Sequence, residues 1–135
     1  MFQVTREIEF CYGHRLLNYD GKCRHLHGHN GKAVITLQGS ELDRSGMLVD
    51  FAEIKAKVQT WIDENLDHNM LLSRFDPLLP ILLDRGERVF VMDDNPTAEN
   101  IARLIYERAK QSGLPVVRVV LWETEHCYSS YEGGL

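Results

Sequence analysis

The chain has 135 residues, of which 44% are hydrophobic and 26% are charged, a composition typical of one soluble globular domain over residues 1–135. Fifteen Lys and Arg against twenty Asp and Glu give a net charge of −5, which argues against nucleic acid as a partner because phosphate binding requires positive charge. Apolar runs such as 70–72 and 89–92 are far shorter than the roughly 20 residues that cross a bilayer, so we expect no membrane span.

Alternating and β-branched apolar residues predict four strands, at 3–13, 31–39, 116–123 and 127–131. Apolar residues at three- and four-residue steps predict a helix over 51–65, with Asp50 as its N-cap. A second helix is predicted between the Asn-Pro-Thr sequence at 95–97 and Gly113. Segment 73–93 shows no regular pattern and is left unassigned.

These elements together predict an α+β fold in which a four-stranded antiparallel sheet carries two helices on one face. Such a sheet leaves two edges exposed in an isolated chain, and edge-to-edge association of several chains would remove them. We therefore expect an oligomer.

Four of the six histidines lie between positions 14 and 29, together with Cys23. The side chains of His27 and His29 point to the same side of an extended backbone, and His14 at the end of the first strand can join them. Three neutral imidazoles without a fixed fourth protein ligand are typical of an open, catalytic zinc site. His25 has the same parity, so spacing alone does not decide which three bind. An isolated His-x-His pair is more often an ordinary loop, but this concentration of ligands favours metal binding.

Cys23 lies between two cations, Lys22 and Arg24, which favour the thiolate at neutral pH. It is therefore a candidate catalytic nucleophile or base, and the residues alone make a fourth zinc ligand equally plausible. The odd number of cysteines and an N-terminus without a secretory pattern lead us to expect reduced thiols and a cytoplasmic location.

Two further positions carry acidic residues that could take part in proton transfer or ligand binding. Asp67 precedes His68, a pairing that suits proton relay, although a His that stabilises a helix C-terminus is the commoner interpretation of such a dipeptide. Glu123 ends an apolar strand, where its carboxylate either binds a ligand with two N–H groups or is simply exposed at an edge. The strand pattern leaves these two interpretations equal.

Segment 14–32 carries four basic residues against one acid, Asp20, which gives a local charge of +3 in an acidic protein. The four are Arg15, Lys22, Arg24 and Lys32. A basic patch beside a metal site predicts an anionic substrate, although a solvated loop is the ordinary alternative.

Six short motifs occur in a specific order along nearly the whole chain. They are Phe10-Cys-Tyr-Gly-His14-Arg-Leu, Cys23-Arg-His-Leu-His27-Gly-His29-Asn30, Gly46-Met-Leu-Val-Asp-Phe-Ala-Glu-Ile-Lys55, Leu66-Asp-His68, Asn95-Pro-Thr-Ala-Glu-Asn100 and Trp122-Glu-Thr124. In order and spacing, the set resembles the 6-pyruvoyltetrahydropterin synthase and 6-carboxytetrahydropterin synthase family.

The resemblance implies a zinc ion bound by His14, His27 and His29, with His25 as a bystander. It also implies roles for six other residues: Cys23 as the catalytic base, Asp67 and His68 as a second proton-transfer pair contributed across a subunit boundary, Glu123 as the anchor of the pterin ring, and Thr97 and Glu99 in the pterin pocket.

The implied fold is the tunnelling fold, in which trimers close a barrel and two trimers stack as a homohexamer. The implied substrate is 7,8-dihydroneopterin triphosphate, whose phosphates would account for the basic patch. The short spacing from Cys23 to His27 resembles the bacterial carboxy enzymes of the queuosine pathway. We therefore expect a 6-carboxy-5,6,7,8-tetrahydropterin synthase that releases acetaldehyde and triphosphate.

Two alternatives remain beside this activity. One is the pyruvoyl reaction, in which triphosphate is eliminated, and the other is a non-catalytic module of the same fold that binds zinc and pterin. The joint presence of Cys23, Asp67 and His68 argues against the module.

The chain departs from the family pattern at three places. Tyr12 and Gly13 stand where small residues such as Ala are usual, Gly31 stands where an aromatic residue is common, and 73–93 resembles an insertion. These departures concern the side-chain end of the substrate pocket and therefore the identity of the product.

Overall fold

The computed structural model describes residues 1–133, so the last two residues of the predicted domain, 134–135, lie outside the described part. The strands are β1 (Phe2–His14), β2 (His27–Gly39), β3 (Asn69–Ser73), β4 (Val89–Met92), β5 (Val116–Trp122) and β6 (Tyr128–Glu132). The helices are α1 (Phe51–Ile54), α2 (Thr60–Asn65), α3 (Leu79–Asp84) and α4 (Ala98–Gln111). Within residues 1–133, helices that are both long and apolar enough to cross a membrane are absent.

The strands form one mixed sheet in the order β4-β3-β1-β2-β5-β6. The prediction of a four-stranded antiparallel sheet is therefore wrong in strand number and in direction. β1, β2, β5 and β6 do pair antiparallel as expected, but β3 and β4 add two short strands that run parallel to β1.

Both added strands are short apolar runs, and the prediction missed them because such a run is compatible with a strand or with a turn of buried helix. Helix α3 lies between them, in the segment left unassigned, and is a third helical stretch that was not predicted. The second predicted strand also begins earlier, at His27 instead of 31, and this extension places both histidines of the His-Gly-His sequence on the sheet.

The predicted helix over 51–65 is present as α1, a π-helical segment Lys55–Gln59 and α2 in one continuous stretch. As predicted, the side chain of Asp50 caps its start by accepting from the N–H of Ala52. The buried residues of this stretch and of α4 join those of β1, β2 and β5 in one hydrophobic core.

Alternation along β1 and β2 decides which residues face that core. The side chains of Phe10 and Tyr12 are buried, whereas Cys11 between them is exposed. His14 continues the parity of Tyr12 and is paired with His27 in the strand register. Imidazole rings therefore lie at one end of the buried face of the sheet.

Candidate active site and metal centre

Three histidines converge at one end of the buried face of the sheet. His14 on β1 is paired with His27 on β2, and His29 lies two residues further along β2 on the same face. One ring nitrogen from each lies within 4.8 Å of the other two. In the described part of the chain, neither His25 nor Cys23 belongs to this group of ligand atoms.

Backbone carbonyls hold two of these imidazoles in one tautomer. The Nδ1–H of His14 donates to the carbonyl oxygen of Pro96 at 2.6 Å, and that of His27 donates to the carbonyl oxygen of His25 at 2.7 Å. Since a carbonyl only accepts, each Nδ1 carries the proton and each Nε2 keeps a free lone pair. Bonds of this kind orient the histidines of metal sites. Neither carbonyl was predictable from the sequence, because a backbone acceptor has no signature in residue type.

The environment keeps two of these histidines neutral. Burial lowers the pKa of His14 to about 4, with contributions from His27 and His29, although the bond to Pro96 acts in the opposite direction. Burial also lowers the pKa of His29, against the opposing effect of Glu123. At neutral pH both rings are therefore in the form that binds a metal ion.

The donor set of this group fits a divalent transition metal. Three imidazoles, with no thiolate or carboxylate among the grouped atoms of the described residues, match a site that keeps a coordination position open for water or substrate. The three histidines can therefore hold a metal ion.

The carboxylate of Glu123 lies beside two of the histidines. Its Oε2 is 3.1 Å from Nε2 of His29 and 3.4 Å from Nε2 of His14. Glu123 directly follows β5, and its N–H donates to the carbonyl oxygen of Cys127 in the turn toward β6. Because its side chain is 27% exposed, the carboxylate can face both the histidines and a ligand.

Tyr12 belongs to this site, although in the sequence it stands out only as a departure from the family pattern. The residue is 1% exposed, and its ring centre lies 5.3 Å from that of His14 and 5.6 Å from that of His29. Burial and the nearby carboxylate of Glu123 raise the pKa of the phenol, so the hydroxyl remains a donor. Nevertheless, the buried hydroxyl makes no hydrogen bond of ordinary geometry. The parity that Tyr12 shares with His14 is the signal that could have identified it.

Cys23 lies half-buried in a single 3-10 turn, Lys22–Arg24, within a loop that returns to the end of β1. Its carbonyl oxygen accepts from the N–H of Leu16 at 2.9 Å. The start of the loop is held by Arg15, whose guanidinium donates twice to the buried carboxylate of Asp76. The structure thus places Cys23 close to the histidine-bearing end of β1.

The Asn-Pro-Thr sequence at 95–97 links the same loop to α4. The side-chain amide of Asn95 accepts from the N–H of Leu17 and donates to its carbonyl oxygen, each at 2.8 Å. The next residue, Pro96, supplies the carbonyl that orients His14. Periodicity in the sequence indicated only a helix start here, whereas these residues also position a loop and a candidate ligand.

Asp67 and His68 contact each other, as a proton-relay pair requires. Nδ1 of His68 lies 2.8 Å from Oδ2 of Asp67, whose Oδ1 accepts from the N–H of Cys11 at 2.8 Å. Although burial acts to raise it, the bonds from Cys11 and His68 lower the pKa of Asp67. His68 has a φ of +59°, which is strained for a non-glycine residue, and its side chain is 71% exposed. The imidazole therefore faces outward from its own chain.

A cavity of about 920 Å³ lies against β1, β2 and β5. Its lining includes Asp67, Glu123 and His29, together with Trp122. The other two histidines of the group are not among its lining in the described part of the chain. The cavity thus adjoins His29, Glu123 and Asp67.

Thr97 and Glu99, expected in the pterin pocket, make other contacts and are not among the residues that line this cavity in the described part of the chain. The hydroxyl of Thr97 accepts from the N–H of Asn100 and caps α4. The carboxylate of Glu99 accepts from the hydroxyl of Ser129 at 3.1 Å. A role for either residue in binding stays a prediction.

Two of the four cations in the basic segment are already paired. Arg15 binds a buried aspartate, and Nζ of Lys32 is 3.1 Å from Oε2 of Glu7. Within residues 1–133, Lys22 and Arg24 make no ion pair. The positive charge available to an anionic ligand therefore comes from the two residues that flank the candidate catalytic cysteine.

Comparison with known proteins gives one consistent result. The model of the 6-pyruvoyl tetrahydropterin synthase family matches residues 3–134. The 6-carboxy-5,6,7,8-tetrahydropterin synthase of Rickettsia bellii is 36% identical over 135 residues, which cover 95% of this chain and 98% of that protein. The enzyme of the same name from Haemophilus influenzae is 32% identical over 141 residues, which cover 98% and 99%.

Two solved structures have the same fold. An uncharacterized protein from Wolinella succinogenes is 29% identical, with a TM-score of 0.81 over 98% of each chain. The 6-pyruvoyl tetrahydropterin synthase of Caenorhabditis elegans is 25% identical, with a TM-score of 0.74 over 98% of this chain and 96% of that one. The likeness therefore extends over nearly the whole of both chains in each case.

Proposed function

This chain belongs to the 6-pyruvoyl tetrahydropterin synthase family, and on that premise we propose that it is a zinc-dependent 6-carboxy-5,6,7,8-tetrahydropterin synthase of queuosine biosynthesis. Its substrate is 7,8-dihydroneopterin triphosphate, and it releases acetaldehyde and triphosphate. The observation that carries the proposal is the convergence of three imidazoles beside the carboxylate of Glu123. The carboxy names of the relatives from R. bellii and H. influenzae support the choice of product.

Zinc is held by His14, His27 and His29, and when bound it polarises a substrate oxygen and acidifies the adjoining C–H and O–H groups. Glu123 binds the pterin ring, because a carboxylate with two acceptor oxygens matches a pair of N–H donors. Thr97 and Glu99 complete the pterin pocket in the assembled enzyme.

Proton transfer falls to three side chains. Cys23 acts as the base, and the neighbouring cations Lys22 and Arg24 attract the triphosphate. Asp67, kept ionised by the N–H of Cys11, orients the imidazole of His68 for the second transfer. The outward direction of His68 supports its action in the site of a neighbouring subunit.

The active assembly is a cytoplasmic homohexamer, formed as a dimer of trimers. In the single chain β4 and β6 are the edges of the sheet, and Val91 on β4 is 44% exposed. Phe75 and Ile81, from the same segment as β4, are 70% and 54% exposed. Apolar side chains beside an open sheet edge support burial against another copy of the chain. We assign this contact to segment 73–93.

Turnover with product analysis tests the proposed activity. Zinc-loaded protein is incubated with 7,8-dihydroneopterin triphosphate, and acetaldehyde, triphosphate and pyruvoyl products are assayed in parallel. We expect acetaldehyde and triphosphate in equal amounts. Triphosphate without acetaldehyde, together with a pyruvoyl product, would identify the alternative 6-pyruvoyltetrahydropterin synthase activity. Pterin binding without turnover would identify a non-catalytic module.

A further inference from the structure

Tyr12, Gly31 and Glu123 lie next to one another across three neighbouring strands. In the antiparallel register of β2 and β5, Lys32 is paired with Trp122. Gly31, one residue before Lys32, therefore lies beside Glu123, one residue after Trp122. A Cβ added to Gly31 would lie 2.8 Å from Cε1 of Tyr12, which shows that the tyrosine ring covers this glycine. The missing side chain at position 31 therefore lets the ring cross β2 toward Glu123.

The hydroxyl of Tyr12 and the carboxylate of Glu123 are complementary in hydrogen bonding, because the first is a donor and the second an acceptor. The hydroxyl is a buried donor without an acceptor, an arrangement that is unfavourable and uncommon in folded proteins. The carboxylate is an acceptor that faces Nε2 of His29 at 3.1 Å and Nε2 of His14 at 3.4 Å. Nε2 of His14 carries no proton, because the proton of His14 is on Nδ1, and a ring nitrogen of His29 that held a metal ion would carry none either, so in the metal-loaded protein neither would give Glu123 a donor.

We propose that Tyr12 is a positioning residue for Glu123: its hydroxyl donates to the carboxylate and holds it toward the N–H groups of the bound pterin. Gly31 is required for this arrangement, since a side chain there displaces the tyrosine ring. The identity of the ligand rests on the proposed function, whereas the bond between Tyr12 and Glu123 does not.

A double-mutant cycle on the stability of the zinc-loaded protein tests the bond without any ligand. Tyr12→Phe removes only the hydroxyl, and we expect it to lower the folding equilibrium constant about tenfold, as for a hydrogen bond to a charged group. In a Glu123→Leu background, which lacks the acceptor, the same change should have an effect of less than about twofold. Equal effects in the two backgrounds would overturn the proposal.

Titration with neopterin, a pterin without the triphosphate, tests the positioning role. Tyr12→Phe should weaken binding about tenfold with zinc content unchanged. Gly31→Ala keeps the hydroxyl but displaces the ring, so it should weaken binding as well. Tyr106→Phe alters a buried tyrosine that packs on Tyr131 away from the site, and this control should bind as the parent does.

Different results would reject the positioning role of Tyr12 and the proposed function. Neopterin binding by Tyr12→Phe as tight as that of the parent rejects the positioning role. If the parent itself neither binds neopterin nor turns over 7,8-dihydroneopterin triphosphate while the stability cycle shows coupling, the proposed function is wrong and the bond between Tyr12 and Glu123 stands.

Discussion

The ring of His14 donates a 2.6 Å hydrogen bond to the carbonyl oxygen of Pro96, although 82 positions separate the two residues in the chain. The bond joins the end of β1 to the start of α4. It also determines which nitrogen of His14 remains free for a metal. The geometry of the candidate site therefore depends on a helix start that is remote in sequence.

We expect the protein to bind about one zinc ion per chain. We also expect the loss of His27 and the loss of His25 to have clearly different effects on zinc content. His27→Ala removes an imidazole from the converging group and should lose most of the zinc. His25→Ala is the matched control, because the backbone carbonyl of His25 that accepts from His27 is retained in this variant. Metal analysis of the purified variants measures both. Loss of zinc from His25→Ala with full occupancy in His27→Ala would reverse the ligand assignment.

Cys23→Ala should keep its zinc and lose turnover by roughly 10²- to 10⁴-fold, the usual contribution of a general base. The reason is that Cys23 lies outside the group of three histidine ligand atoms. Steady-state kinetics and metal analysis on the same preparation measure the two effects, with Cys127→Ala as an exposed cysteine control. Loss of zinc together with the cysteine would make Cys23 a ligand instead.

The metal-free protein should become less stable as the pH falls from about 6.5 toward 4. Burial lowers the pKa of His14 in the folded chain to about 4. Between these two pH values the unfolded state binds more protons than the folded state, so a fall in pH favours unfolding. At about 1.4 kcal/mol per pKa unit, the free energy of unfolding falls by at most about 3 kcal/mol from His14.

Chemical denaturation at about pH 7 and about pH 4.5 measures this loss. Asp67 and Asp76 do not interfere, because their pKa values are lowered and their titration lies below the window. His14→Gln removes the titrating ring and should reduce the difference between the two conditions. An undiminished difference would show that other groups cause it.

Asp76→Asn should lower the free energy of unfolding by about 3 kcal/mol, because it leaves the partly buried guanidinium of Arg15 without its counter-charge. The side chain of Asp76 is fully buried and that of Arg15 is 19% exposed. Asp93→Asn is the control, since Asp93 is 87% exposed and lies 3.8 Å from Arg74. Urea denaturation compares the variants. Equal stabilities for both would show that the buried pair contributes nothing.

Mixing two inactive variants should restore activity if His68 acts in a neighbouring subunit. Cys23→Ala and His68→Ala chains, unfolded together and reassembled, form some sites with both residues intact. Random mixing at equal amounts gives about a quarter of the parental activity. The mass of the assembly is checked by light scattering. A mixture as inactive as its components, in an assembly of hexamer mass, would place the proton-transfer pair in its own chain.

The positions of the candidate ligands were predictable because strand parity is a local property. His27 and His29 alternate with Gly28, and His14 ends a strand with clear alternation, so side-chain direction follows from the backbone period alone. By contrast, β3 and β4 were not predicted, since their stability comes from pairing with β1 and with each other, and the composition of such short runs does not reveal it.

The sequence by itself determined the antiparallel strands, the helix over 51–65, the histidine group and the family. Only the tertiary structure decided that Tyr12 lies beside Glu123 and that Asp76 holds Arg15. It also decided that the carbonyl of Pro96 orients His14. The physical reason is that periodicity and composition act over a few residues, whereas these contacts join groups far apart in the chain and depend on how the strands, loop and helix pack together.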